Sequence, residues 1–328
     1  MRLLFHCHAT AATGLGHFSR CLSIARGIKR LQPGVRLRFL GQFNAYARTT
    51  LATHGMEIGD MDHQWSTIDS VQGLLVDSYA LSQTELDQFA DQPFPLILID
   101  DFMQWSVQRA GLVISFLCGA ERRNYNARGL ALGTRYFPAK PEFMPIRERN
   151  LTRERSTPRR LLVCLGGSDH HGVLPQLLQV LDGHFEDVDM TCLTNAPPVF
   201  RAKRNHLAFR PISNNIEAEL AAADMVISGG GLLKYESAFC AIPNACLHQT
   251  DAQATESRQV IAQQLCVDLG LAEQPNTTMI QAGLTQLVDP DWNQAFISAS
   301  NLAFDGDSLT RLSRAILKVC STGESRRT

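Results

Sequence analysis

The chain has 328 residues, of which 45% are hydrophobic and 19% charged, with a formal net charge of −1. That length is about twice one ordinary domain, so two domains, each burying its own core, are expected, and the composition excludes a disordered or fibrous chain. The near-zero charge excludes a chain-wide electrostatic attraction to nucleic acid or to an anionic membrane surface.

The first residues, MRLLFHCHATAATGLGH, are too interrupted by His6, His8 and polar residues to form the apolar core of a signal peptide. No later segment approaches the ~18 uninterrupted apolar residues of a membrane span, so no integral membrane segment and a cytoplasmic location are the expectation. The nine cysteines are scattered through apolar runs such as LLVCLGG and QQLCVDLG, with no CxxC pair. Buried, reduced thiols are therefore expected rather than a disulfide framework or a zinc site, and neither a metal nor another cofactor is implied.

Short apolar runs alternate with amphipathic stretches along the whole chain, the pattern of parallel sheets covered by helices, so the predicted fold class is α/β. In the first half, strands are predicted at residues 3–7, 35–40, 73–76, 95–99 and 112–116, with helices at 18–31 and 82–89. The second helix opens on Ser82-x-x-Glu85, a capping box. Residues 147–160 are rich in arginine, carry interspersed glutamates and lack apolar periodicity; they read as a solvated linker between domains at 1–146 and 161–328. After it the alternation restarts, with strands at 161–165, 190–193, 225–227 and 245–248, a helix at 174–181, and a helical C-terminal portion from Thr277. Two consecutive sheets of this kind carry ligands at the carboxyl ends of their strands, so a shared cleft is expected there.

Three glycine-rich turns follow predicted strands. Gly14-Leu15-Gly16-His17 lies between the first strand and the first helix, where glycines permit positive φ and close backbone approach. The histidine is more informative than the glycines, because an imidazole with an ordinary pKa near ~6.5 accepts a proton at neutral pH. Gly166-Gly167-Ser168-Asp169 follows the first strand of the second half. Ser228-Gly229-Gly230-Gly231 follows a later one and opens a helix carrying Glu236. Consecutive glycines let the main chain approach a diphosphate, and the dipole of the helix behind them adds ~0.3–1 kcal/mol. Glu236 is placed to accept from ribose hydroxyls.

Acidic strand ends complete the first half: Asp77-Ser78-Tyr79, and Asp100-Asp101. These carboxylates either orient His17 and bind sugar hydroxyls or cap the next helix. Asp-x-Asp triplets beginning at Asp60, Asp187, Asp289 and Asp305 sit at the end of no clear apolar strand and read as acidic loops.

Taken together, GLGHFSRCLSIARGI, LLVDSYAL, LILIDDF, LGTRYFPAKPEF, LLVCLGGSD and AADMVISGGGLLKYESAFCAIPNACL resemble the UDP-sugar hydrolases of the pseudaminic acid pathway and their spore-coat polysaccharide relatives. The segments fall in order from residue 14 to about 247, covering most of the chain. The resemblance implies the GT-B architecture, two facing Rossmann-like domains, and it extends to the enzyme that adds N-acetylglucosamine during lipid II synthesis. It implies His17 as the catalytic residue, Tyr79 in the sugar pocket, Gly229, Gly230 and Gly231 near the diphosphate, and Glu236 on the ribose. With these, Gly14, Gly16, Arg20, Asp77 and Asp101 are expected at the sugar, and Gly166, Gly167, Ser168 and Gln253 at the nucleotide. The chain departs from the family's pattern where Phe5-His6-Cys7-His8-Ala9-Thr10 replaces roughly FRxDAS, at Leu15, and at Gln249-Thr250-Asp251-Ala252-Gln253.

The expected activity is cleavage, with inversion, of the anomeric C–O bond of a UDP-linked amino or deoxy sugar. The alternatives are a transferase passing the sugar to a sugar or lipid-linked acceptor, and a non-catalytic nucleotide-sugar binding protein. A dinucleotide oxidoreductase is disfavoured: Ser19 stands where the third glycine would be, and no acidic residue ends the strand at Leu40.

Overall fold

The computed structural model describes residues 1–10, 13–59, 70–152, 157–166, 169, 171–212 and 215–322. The chain divides into two compact units, one formed by Met1–Lys140 with the chain from Phe304 onward, the other by Pro141–Ala303.

The first unit is built on seven parallel strands, β1 (Arg2–His6), β2 (Arg36–Leu40), β3 (Glu57–Gly59), β4 (Val71–Val76), β5 (Leu96–Ile99), β6 (Leu112–Ser115) and β7 (Leu130–Leu132). Their order is β3-β2-β1-β4-β5-β6-β7. Helices α1 (Gly16–Leu31), α2 (Ala45–Thr53) and α3 (Gln83–Ala90) connect them. Strands β4, β5 and β6 are almost entirely buried, as expected of a parallel sheet covered on both faces. The capping box of α3 is formed: Ser82 Oγ accepts from the Glu85 amide, and the Glu85 carboxylate accepts from the Ser82 amide at 2.8 Å. From β1 the chain moves outward to β2 and β3, then returns to lay β4 on the other side of β1. That reversal opens a crevice at the carboxyl ends of β1 and β4.

His6, the last residue of β1, is 3% exposed, with its ring against Phe89 and His8. Burial, with the neighbouring His8, pushes its imidazole down from 6.5 to about 4. The folded state therefore resists a proton that the unfolded chain accepts. Its contribution is whole above pH 6.5 and is lost as the pH falls towards 4. The loss should amount to about 3 kcal/mol of unfolding free energy. Urea titrations of the parent and His6→Gln across this range should show the parent declining more steeply; parallel curves would refute the assignment.

The second unit opens with α4 (Phe143–Thr152) and contains six parallel strands: β8 (Arg160–Cys164), β9 (Asp189–Leu193), β10 (His206–Arg210), β11 (Met225–Ser228), β12 (Asn244–His248) and β13 (Val267–Leu271). Their order is β10-β9-β8-β11-β12-β13, with the same reversal between β8 and β11. The helices are α5 (Leu174–His184), α6 (Ile216–Ala222), α7 (Leu233–Phe239), α8 (Asp251–Ala262), α9 (Thr277–Val288) and α10 (Pro290–Ala303). A final helix, α11 (Ser308–Thr322), belongs to the first unit and packs along α1. Gly27 makes this close approach possible, since a Cβ there would lie 2.4 Å from Ser313 Oγ.

Two expectations about organisation need correction. The predicted linker at 147–160 contains most of α4, whose buried Arg147 and Asn150 donate to the carbonyls of Phe239 and Cys240 at 2.8 and 2.9 Å. Those carbonyls end α7, so Arg147 and Asn150 of α4 act as a C-terminal cap, and residues 147–152 are helix rather than solvated connector; residues 153–156 of the predicted linker lie outside the described residues. The second domain also does not run on from 161 to 328, because α11 returns to the first unit. Among the described residues no helix is long and apolar enough to cross a membrane. The nine cysteines are free and buried.

Candidate active site

His17 sits in the first turn of α1, directly after the loop that leaves β1. Gly14 in that loop has φ +67°, and its amide donates to Thr10 O at 2.9 Å, bending the chain into the helix. Asp77 follows β4, the neighbour of β1, and its amide donates to His6 O at 2.9 Å. Strand order thus brings the two side chains together. His17 Nδ1 and Asp77 Oδ1 are 2.6 Å apart, with the His17 side chain 16% exposed and that of Asp77 fully buried.

Arg20 lies three residues after His17, on the same face of α1. Its Nε and one terminal nitrogen donate to the two oxygens of Asp77 at 2.5 Å each, and the other terminal nitrogen donates to Asp101 Oδ2 at 2.6 Å. Tyr79 hydroxyl also donates to Asp101 Oδ2 and lies 3.3 Å from Arg20. Burial pushes the Asp77 carboxyl up, but the charge and hydrogen bonds of Arg20, with His17, bring it down to about 2. Asp77 is therefore an ionised acceptor at neutral pH, and His17 Nδ1 must be the donor. That tautomer leaves Nε2 as a lone pair available for a proton. Burial, opposed by the Arg20 charge, pushes the Tyr79 phenol well up and keeps it a neutral donor. Although its hydroxyl is engaged, Tyr79 as a whole is 39% exposed and its ring meets that of His17 edge-on at 4.5 Å.

Arg20 and Asp77, expected among the sugar ligands, are buried and committed to each other, so they support His17 from within. Asp101 keeps one buried oxygen, Oδ1, without a hydrogen-bond partner among the described residues. Asp100 caps no helix among the described residues: its Oδ1 accepts from the amides of Phe102 and Gln104 at 3.1 and 3.4 Å and so holds the loop between β5 and β6. His8, which the motif reading passed over, accepts from the Gln42 amide through Nδ1 at 3.2 Å. Burial and the His17 charge lower its pKa.

In the second unit the corresponding crevice lies at the ends of β8 and β11. Gly166 follows β8 with φ +114° and open space where a Cβ would stand. Gly167 and Ser168 lie outside the described residues. The loop 229–231 follows β11. A Cβ on Gly229 would stand 1.9 Å from Leu165 O, so only glycine lets the two strand exits touch; Gly231 faces open space. Helix α7 is only seven residues long, so the donors this turn offers are its loop amides rather than a helix dipole. Glu236 lies on α7 at 8% exposure. Gln253 Oε1 accepts from the Gln249 amide at 3.0 Å and is thereby engaged in holding the chain after β12. Lys234 and Glu256, which form a buried ion pair beside the glycine loop, were not singled out from the sequence. The signal available was a lysine inside the otherwise compact, apolar run GGGLLKYESAF.

No family model matches the chain. An uncharacterized protein of Methanocaldococcus jannaschii is 20% identical over 275 residues, 77% of this chain and 57% of that protein; the chain thus spans little more than half the length of that relative. Among solved structures, the glycotransferase of kitacinnamycin aligns with a TM-score of 0.69 at 12% identity, covering 97% of this chain and 99% of that one. MurG of Acinetobacter baumannii aligns with a TM-score of 0.65 at 12% identity over 97% and 99%. The UDP-GlcNAc 2-epimerase of Neisseria meningitidis, solved bound to UDP-GlcNAc, aligns with a TM-score of 0.65 at 11% identity over 97% and 100%. At these identities the likeness is one of fold. The chain has the GT-B fold, with parallel α/β sheets of seven and six strands.

Proposed function

We propose that the chain is a nucleotide-sugar-processing enzyme that hydrolyses the anomeric C–O bond of a UDP-linked amino or deoxy sugar, with inversion. The observation that carries this reading is the hydrogen bond between His17 Nδ1 and the buried, ionised Asp77. A histidine held in this tautomer is equipped as a general base. The nucleotide-sugar enzymes that share the fold supply the substrate class.

His17 Nε2 takes a proton from water as the water oxygen bonds to the anomeric carbon. The C–O bond to the diphosphate breaks, and its electron pair leaves on UDP. Asp77 stabilises the imidazolium that forms, and Arg20 holds Asp77 in place. Amides of the loop 229–231 receive the diphosphate and Glu236 the ribose.

The kitacinnamycin glycotransferase among the neighbours favours one further reading, in which an acceptor hydroxyl replaces water. Incubation with a panel of UDP-sugars separates the two. Enzyme-dependent release of UDP and free sugar of inverted anomeric configuration, without acceptor, is the expected result. UDP release only when an acceptor is added would replace hydrolysis by transfer. Binding without any turnover would make the chain a nucleotide-sugar binding protein.

A further inference from the structure

Resting on the nucleotide reading of the second unit, we infer that buried Lys234 is a positioning residue that aims the Gly231 amide at the diphosphate. Lys234 is 1% exposed on α7. Its ammonium donates to Gly230 O at 2.5 Å and to the Glu256 carboxylate, which also accepts from the Tyr235 hydroxyl. A buried ammonium is tolerated only when paired and hydrogen-bonded, and Glu256 with the Gly230 carbonyl meets that demand.

The consequence lies on the other side of the same peptide. The described chain contains no cis peptide bond, so the Gly231 N–H points opposite to the Gly230 carbonyl. With the carbonyl drawn to Lys234, the amide is turned the other way. Among the described residues the Gly231 N–H has no hydrogen-bond partner, and a Cβ at Gly231 would meet nothing within 4 Å. Gly230, at φ +83°, admits no side chain, since a Cβ would stand 2.7 Å from His248 Nδ1.

A peptide flanked by two glycines flips readily, because neither side has a Cβ to resist. A flip here would present a carbonyl, an acceptor, where the diphosphate needs a donor. Lys234 prevents this by holding the carbonyl, while Glu256 neutralises it. The lysine acts through the backbone and does not itself touch the ligand.

Calorimetry with UDP, uridine and inorganic pyrophosphate tests the inference on the full chain. In Lys234→Met, affinity for UDP and pyrophosphate should weaken at least about tenfold, while uridine affinity stays within about twofold. Lys234→Arg, which can still donate to Gly230 O and Glu256, should recover much of the loss. Should Lys234→Met fail to fold, Lys234→Met/Glu256→Gln removes both charges and leaves no buried ion unpaired. It must show the same diphosphate-selective loss. Unchanged diphosphate affinity, or an equal loss for uridine, overturns the inference while the nucleotide reading stands. A parent chain that binds none of the three ligands overturns both.

Discussion

Replacing His17 by alanine should lower turnover of the UDP-sugar by about 10²–10⁴-fold while UDP affinity stays within about twofold of the parent. The split follows from where the groups reside. The proposed base belongs to the first unit, and the proposed nucleotide ligands all belong to the second. The His17 side chain is partly exposed, at 16%, so its removal opens little cavity in the core. Single-turnover kinetics and calorimetry on one preparation would read both quantities. Turnover that survives the substitution would remove His17 from the reaction, and with it the hydrolytic and the transferase readings alike.

The second large effect is expected at Asp77. Asp77→Asn retains the shape of the side chain but removes the charge that fixes the His17 tautomer. A loss of about 10³–10⁴ in kcat should follow. Unlike the substitution at His17, this one should also destabilise the fold by about 3–5 kcal/mol, because Arg20 loses one of its two buried carboxylates. Acid provides an independent check. The Asp77 carboxyl lies at about 2 against an ordinary 3.8, so its contribution to stability is full above pH 3.8 and disappears as the pH falls through 2. The amount lost should be about 2 kcal/mol, and Asp77→Asn should lack this limb of the acid titration. A variant as stable as the parent at neutral pH would show that the Arg20 network does not hold the site.

The sequence reading located the strands that are buried on both faces, because a fully covered parallel strand is a continuous apolar run. Strands β4, β5, β6, β11 and β12 are of this kind. It missed β3 and β7, only three residues each, and β10 and β13, the two edges of the second sheet, where HLAFR is partly or fully exposed and VDLGL partly so. Helix α4 escaped notice for a different reason. Its buried side includes Arg147 and Asn150, which are there to satisfy carbonyls at the end of α7, and a polar buried face leaves no apolar period to detect. Nothing in chain order reveals that α11 returns to α1; that depends on the space left by Gly27.

The candidate site divides in the same way. His17 was legible from its turn between strand and helix, and Asp77 from its strand end. Arg20 was legible as a position but not in its role, because only the fold shows that it points at two carboxylates. Lys234 was hidden by the ordinary expectation that a lysine on a helix faces solvent.

The placement of α11 also bears on the order in which the molecule can be made. A ribosome finishes residues 141–303 before it has produced the helix that covers α1. The half translated first must therefore wait, with an unsealed apolar flank, while the half translated later already has all of its parts. The usual order of domain completion during synthesis is reversed. The first unit gains the cover over α1 only when α11 has left the exit tunnel.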